Sequence, residues 1–224
     1  SESYRVPWVF DEEAVDVCRK FTKLKLRLMP YIYQMAVNSH KTGIPSMRSM
    51  VMEFETDPAV KYLDMQYMLG DSILVAPIFS ADGEVEYYLP EGTWTHLLSG
   101  EVKQGGRWYK ETYDFMSLPV YVRENTLLAI GANEKTADYD YADEIKDGAE
   151  VQCSVPEKDG GAALEIKAVR KDGKLILEST GKNANMTYLL RNVHSAEMVE
   201  GAEIVEDTDA GIVLRPTADR VIAG

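Results

Sequence analysis

Histidine and cysteine are both scarce in this chain, with three of the former and two of the latter in 224 residues. His40, His96 and His194 fall in separate segments without a second ligand-type residue at metal spacing, which argues against a metal centre. Cys18 and Cys153 are far apart; they make no disulfide framework and suit a reducing, cytoplasmic compartment. No apolar run approaches the roughly 18–20 residues a membrane-spanning helix needs. The opening Ser1-Glu2-Ser3-Tyr4-Arg5 has neither the basic nor the apolar part of a secretory leader. Basic residues are outnumbered 24 to 37, and the resulting charge of −13 argues against nucleic acid and anionic membranes as partners. A P-loop, a dinucleotide fingerprint and a serine-nucleophile elbow are all missing. The acidic run from Asp138 to Glu144 lacks the glycine and terminal glutamate of an EF-hand loop. No cofactor is implied.

What is present is ordinary globular composition, 45% hydrophobic, in a length that suits one or two domains. Residues 1–70 read as helical. Asp11 is a good N-cap, with Glu12 and Glu13 in the first turn where the helix dipole favours negative charge. Ala14, Cys18, Phe21, Leu24, Leu28, Ile32 and Met35 then form a stripe at helical spacing. Arg19, Lys20, Lys23, Lys25 and Arg27 read as a solvated face rather than a phosphate site, because no glycine-rich loop accompanies them. Pro30 should kink the helix, and Gly43 should end it. In YLDMQYMLGDSILVAPIFS, residues 62–80, helical spacing up to Leu69 gives way after Gly70 to an unbroken apolar run. That pattern predicts a helix ending on Gly70 and feeding a buried strand.

From residue 71 the pattern is β. Short strands are predicted at 73–79, 85–89, 94–98, 107–111 and 120–122, separated by Asp82-Gly83, Pro90-Glu91-Gly92 and Gly105-Gly106 turns. A second set is predicted at 151–155, 162–169, 174–178, 186–190, 202–205 and 211–214, with Lys171-Asp172-Gly173 as a hairpin turn. The polar, acidic stretch 134–146 between the sets reads as a linker or an edge. Helices followed by two small sandwiches is the order this predicts.

No catalytic constellation emerges from these residues alone. Asp57 and Asp64 suit one helix face, but charged exteriors produce such pairs routinely. Trp94 and Trp108 suit sugar stacking or core packing, the second being the commoner outcome for turn-bounded aromatics.

Several ordered segments resemble the C-terminal part of glycoside hydrolase family 31, the α-glucosidase and α-xylosidase family. They are ESYRVPW at 2–8, LMPYIYQMA at 28–36, PSMRSMVMEF at 45–54, DMQYMLGDSILVAPIF at 64–79, YYLPEGTWTHLLSGE at 87–101 and LPVYVRENTLLAIG at 118–131. ESYRVPW and LPVYVRENTLLA look closest to the bacterial α-xylosidase branch. The likeness runs to about residue 137, and the rest of the chain is placed by position.

The resemblance implies a mostly β chain with an N-terminal helical segment: the tail of a (β/α)8 barrel followed by two β-sandwich domains. Residues 1–70 would supply the last loop and helices of the barrel, 71–137 a proximal sandwich and 138–224 a distal one. Family members are retaining enzymes with two catalytic aspartates, whose carboxyls lie about 5 Å apart. Both would precede everything matched here, so no residue of this chain inherits a catalytic role. Ser3, Tyr4 and Arg5 would follow the eighth barrel strand, where they either line the rim of the site or anchor the loop. The implied partners are an α-linked oligosaccharide and the upstream barrel domain. An uncovered helix stripe implies self-association or an unseen partner. The alternative function is a stand-alone carbohydrate-binding or structural module.

Overall fold

The Asp11 carboxylate accepts a 2.7 Å bond from Ala14 N and starts helix α1 (Glu12–Arg27). A one-residue break at Leu28 separates α1 from α2 (Met29–Thr42), with Pro30 in the first turn of α2. Proline is tolerated there because its missing N–H needs no partner in a first turn, so the expected kink becomes a break just ahead of it. α2 ends at Gly43, whose φ of 77° is left-handed and whose N–H reaches Ser39 O at 2.8 Å. This computed structural model describes residues 4–131, 139–143, 150–156, 162–180 and 186–224.

The helices lead into a first sandwich. Its elements are β1 (Met47–Ser49), the short helix α3 (Met50–Glu53), β2 (Tyr67–Leu69), β3 (Ile73–Val75), β4 (Glu84–Leu89), β5 (Thr93–His96), β6 (Val102–Gln104), β7 (Arg107–Thr112) and β8 (Val120–Arg123). Six of the strands make one antiparallel sheet in the order β1-β2-β3-β8-β5-β6, and β4 pairs with β7 alone. Leu74 of β3 joins Met68, Tyr87, Leu89, Trp94 and Tyr121 in the core between the two sheets. Its neighbours Ile73 and Val75 point the other way, into a second core with Leu28, Val120 and Val122. The unbroken apolar run therefore reflects a strand covered on both faces.

The helical reading of 62–69 is overturned. Tyr67–Leu69 is strand, paired with Ile73–Val75 in the register Met68↔Leu74, and Gly70 occupies the connecting turn. The division expected at residue 70 runs through this hairpin, since β1 and β2 share one sheet with β3.

The second sandwich contains β9 (Thr126–Ile130), β10 (Tyr139–Asp143), β11 (Glu150–Pro156), β12 (Ala162–Lys171), β13 (Lys174–Thr180), β14 (Thr187–Arg191), β15 (Val199–Glu200), β16 (Ala202–Thr208), β17 (Gly211–Pro216) and β18 (Arg220–Ala223). Two five-stranded sheets, β16-β17-β14-β10-β9 and β11-β12-β13-β18-β15, enclose a core that includes Ile166, Leu177, Tyr188 and Leu214. Asp172 (φ 52°) and Gly173 (φ 77°) make the β12–β13 turn predicted at that position.

Two features of this half depart from expectation. Within the stretch read as linker or edge, residues 139–143 form an inner strand, antiparallel to β9 and parallel to β14. The remainder of that stretch lies outside the described residues. β9 follows β8 after two residues yet belongs to the second sandwich. Its Leu127 enters that core, while Leu128 and Ile130 pack with Ile73, Val122 and Leu28. Arg191 fastens the same seam, donating from its guanidinium to Leu97 O and His96 O at 3.3 Å.

Candidate functional site

A cleft of about 470 Å³ lies where α2 meets the first sandwich. Tyr31, Gln34, Met35 and Asn38 recur at helical spacing and line one wall. Arg48, Asp71, Ser72, Trp94 and Arg123 contribute the opposite side, and Glu91, Glu124 and Asn125 come from turns. Exposed Asn38, Asp71 and Glu91 at its border open it to solvent.

The Gly70 turn fixes the floor. Gly70 has φ 69°, and a Cβ there would collide with the Tyr31 hydroxyl and come 2.6 Å from Met35 Sδ. Glycine lets Tyr31 reach the hairpin, where its hydroxyl donates to Leu69 O at 2.8 Å and accepts from Ser72 N at 3.3 Å. Burial, aided by the Asp71 charge, raises the Tyr31 pKa well above the ordinary phenol value, so the hydroxyl stays protonated.

The charged groups of the cleft are already engaged. Arg48 pairs with Glu53 and donates from Nε to Pro45 O at 3.1 Å. Arg123 donates to Asp71 O at 3.0 Å, and its guanidinium lies 5.3 Å from the Phe54 ring. Glu124 accepts from Thr93 N at 2.8 Å. Gln34 Nε2 donates to Asn38 Oδ1 at 2.8 Å.

A second polar cluster sits inside the first sandwich. The buried ammonium of Lys103 pairs with Glu111 and donates to Tyr87 Oη at 3.1 Å. Glu111 Oε2 also accepts from the Tyr87 and Tyr113 hydroxyls at 2.6 and 2.7 Å. The Tyr109, Tyr121 and Tyr87 rings surround the ammonium at 4.9, 5.5 and 5.9 Å. Burial opposes both charges. It is outweighed at Glu111 by the Lys103, Tyr87 and Tyr113 bonds, which lower its pKa, and at Lys103 by Glu111 and Tyr121, which raise its pKa. His96 stacks on Tyr113 beside them. Its Nδ1 accepts from Leu98 N and Ser99 N, so the proton sits on Nε2 and is donated to Leu118 O at 3.0 Å. Burial lowers the His96 pKa and keeps the ring neutral. The bonds within this cluster tie β4, β6, β7 and β8 together.

The residues singled out in the sequence are scattered. Ser3 lies outside the described residues. Tyr4 and Arg5 are exposed ahead of a 3-10 turn at Pro7–Val9, and neither lines the cleft. Asp57 caps the turn at Pro58–Val60 and accepts the Tyr88 hydroxyl at 2.9 Å. Burial and then Asp57 push the Tyr88 pKa up to about 12. Asp71 accepts Ser72 Oγ at 2.7 Å, and Asp64 is exposed. Trp94 is 1% exposed and donates from Nε1 to Pro90 O, whereas Trp108 is 49% exposed and tilts against Tyr88. Among the described residues no group of three or more histidine, cysteine, aspartate or glutamate side chains could hold a metal. Nothing in the local sequence flags the cleft, because its walls come from segments far apart in the chain.

Comparison with known proteins covers nearly the whole chain in three consecutive blocks. Residues 1–35 match the glycosyl hydrolases family 31 TIM-barrel domain, 43–128 the glycosyl hydrolase family 31 C-terminal domain, and 141–223 the C-terminal domain of the α-xylosidase YicI. The α-xylosidase XylQ of Lactiplantibacillus pentosus is 42% identical over 200 residues, covering 84% of this chain and 26% of that protein. An α-xylosidase of Emericella nidulans is 43% identical over 138 residues, covering 58% of this chain and 18% of that protein. The chain thus spans about a quarter or less of the curated relatives it matches. A dextranase of Flavobacterium johnsoniae superimposes with a TM-score of 0.84 at 19% identity, over 100% of this chain and 34% of that one, a likeness of fold.

Proposed function

The chain belongs to glycoside hydrolase family 31, as a C-terminal part of such an enzyme, and on that premise we propose that it serves a retaining α-glycosidase that removes α-linked sugars from non-reducing ends, an α-xylosidase in preference to an α-glucosidase. The single observation that carries this reading is the order of the matches, barrel end first and the two C-terminal domains after it. The preference for xylose follows the α-xylosidase relatives at 42% and 43% identity.

In this reading the chain scaffolds the catalysis carried out upstream. Leu24, Leu28 and Ile32 hold the helices to the first sandwich, while α1 has no fully buried residue and leaves a side for the barrel to cover. A retaining mechanism needs a nucleophile and an acid/base carboxyl facing one sugar. Asp57 and Asp71 are instead tied to Ala59 N, Tyr88 and Ser72. Ser3, Tyr4 and Arg5 are assigned to the rim of the barrel site, in keeping with the exposure of Tyr4 and Arg5. The stripe Cys18, Phe21, Leu24, Leu28 and Ile32, expected to stay uncovered, is covered in part, because Leu24, Leu28 and Ile32 pack on the first sandwich. Self-association through what is left of it, Cys18 and Phe21, is a further part of the proposal, to be read by light scattering.

The test is hydrolysis of p-nitrophenyl α-xyloside and α-glucoside. The 224-residue chain alone should release no p-nitrophenol, and a polypeptide joining it to the upstream barrel should release it, faster from the xyloside. Turnover by the chain alone, abolished on changing Asp57, Asp64 or Asp71 to asparagine, overturns the reading.

A further inference from the structure

We propose that the cleft between α2 and the first sandwich is a non-catalytic binding site for a neutral mono- or disaccharide. Its volume of about 470 Å³ falls in the range of small-molecule sites. Its electrostatics select against ions. Arg48 and Arg123 are balanced by Asp71, Glu91 and Glu124 in the same lining, and both guanidiniums are already bonded to Glu53, Pro45 O or Asp71 O. A phosphate would compete with these carboxylates, and a cation finds no set of three ligands among the described residues.

The cleft does offer paired amide groups. Gln34 and Asn38 sit one helical turn apart on the wall, oriented by their mutual 2.8 Å bond. In that bond Gln34 spends one amide proton and Asn38 its carbonyl oxygen. Gln34 keeps an acceptor oxygen and Asn38 two amide protons, a donor and acceptor side by side that match adjacent sugar hydroxyls. Tyr31 adds aromatic surface for the C–H face of a ring. The rigid hairpin at Gly70 fixes Tyr31, so the wall is organised before a ligand arrives. The site stands apart from the exposed Trp108, which presents a single aromatic without such a wall.

The choice of sugar as ligand rests on the family 31 reading. Calorimetric titration of the chain needs no turnover, so absent binding sinks this site alone, and absent hydrolysis by the barrel-bearing polypeptide sinks that reading alone. Maltose and methyl α-xyloside are the probes, with inorganic phosphate alongside. Saturable binding of either sugar is expected, weakened at least tenfold by Asn38→Ala and by Gln34→Ala and unchanged by Trp108→Ala. Both alanine variants favour helix and preserve the fold. The proposal fails if neither sugar saturates, if both α2 variants bind like the parent, if Trp108→Ala abolishes binding, or if phosphate binds as well as the sugars.

Discussion

Replacing Glu111 by glutamine removes the partner of a lysine with almost nowhere else to turn. The Lys103 side chain is 6% exposed, and its remaining company is the Tyr87 hydroxyl at 3.1 Å, Glu101 at 3.7 Å and three tyrosine rings. Removing one member of a buried ion pair costs about 3–5 kcal/mol. The rings and the Tyr87 hydroxyl stay in place and soften the loss, which sets the expected cost of Glu111→Gln at about 2–3 kcal/mol. Lys103→Met should cost less, about 1–2 kcal/mol, because the Glu111 side chain is 29% exposed and keeps the Tyr87 and Tyr113 hydroxyls as donors. The double variant leaves no uncompensated charge, so it should fall short of the summed single costs by about 1.5 kcal/mol or more. Urea unfolding followed by tryptophan fluorescence reads these differences, since Trp94 lies in the same core. Additive single costs, or a Glu111→Gln loss below about 0.5 kcal/mol, would refute the account.

The same pair sets a pH window. The folded pKa of Glu111 is depressed, so its contribution is complete above the unfolded value of about 4.3 and is lost as pH falls through the folded one. That of Lys103 is raised, so its contribution is complete below about 10.4 and is lost as pH rises through the folded one. Urea midpoints across pH should show the acid-side loss shrink in Glu111→Gln. Leu74→Asp puts a charge at a fully buried position in the middle of β3 and should cost several kcal/mol, and an unchanged Tm would count against the packing described. Gly70→Ala should cost more than about 1 kcal/mol through its φ of 69° and the collision with Tyr31, with equal stability as the contrary result.

The parts legible in the sequence were those with a local physical cause. The cap at Asp11, the left-handed Gly43 and the Asp172-Gly173 turn are each decided by a few neighbouring residues. Tyr67–Leu69 reads as helix in the sequence because a three-residue strand is too short to show a period of two, and its apolar residues fit a helix equally well. Acidity makes the stretch 134–146 read as a linker or an edge, although tyrosine alternating with aspartate at 139–141 carries a strand period. The cleft left no trace because Asn38, Asp71 and Arg123 meet only in three dimensions. The family resemblance rested on long ordered segments and so reached further than any single residue could.

The placement of β9 bears on how such a protein can be divided or recombined. Thr126–Ile130 is joined to the first sandwich by Glu124 and Asn125, yet its hydrogen bonds and its Leu127 belong to the second. A gene truncated after codon 131 would encode a strand with both edges bare, and one starting at codon 139 would encode a sheet stripped of its outer strand. Either cut leaves β9 without its partner strand, so the two halves separate cleanly only where Thr126–Ile130 stays with the second.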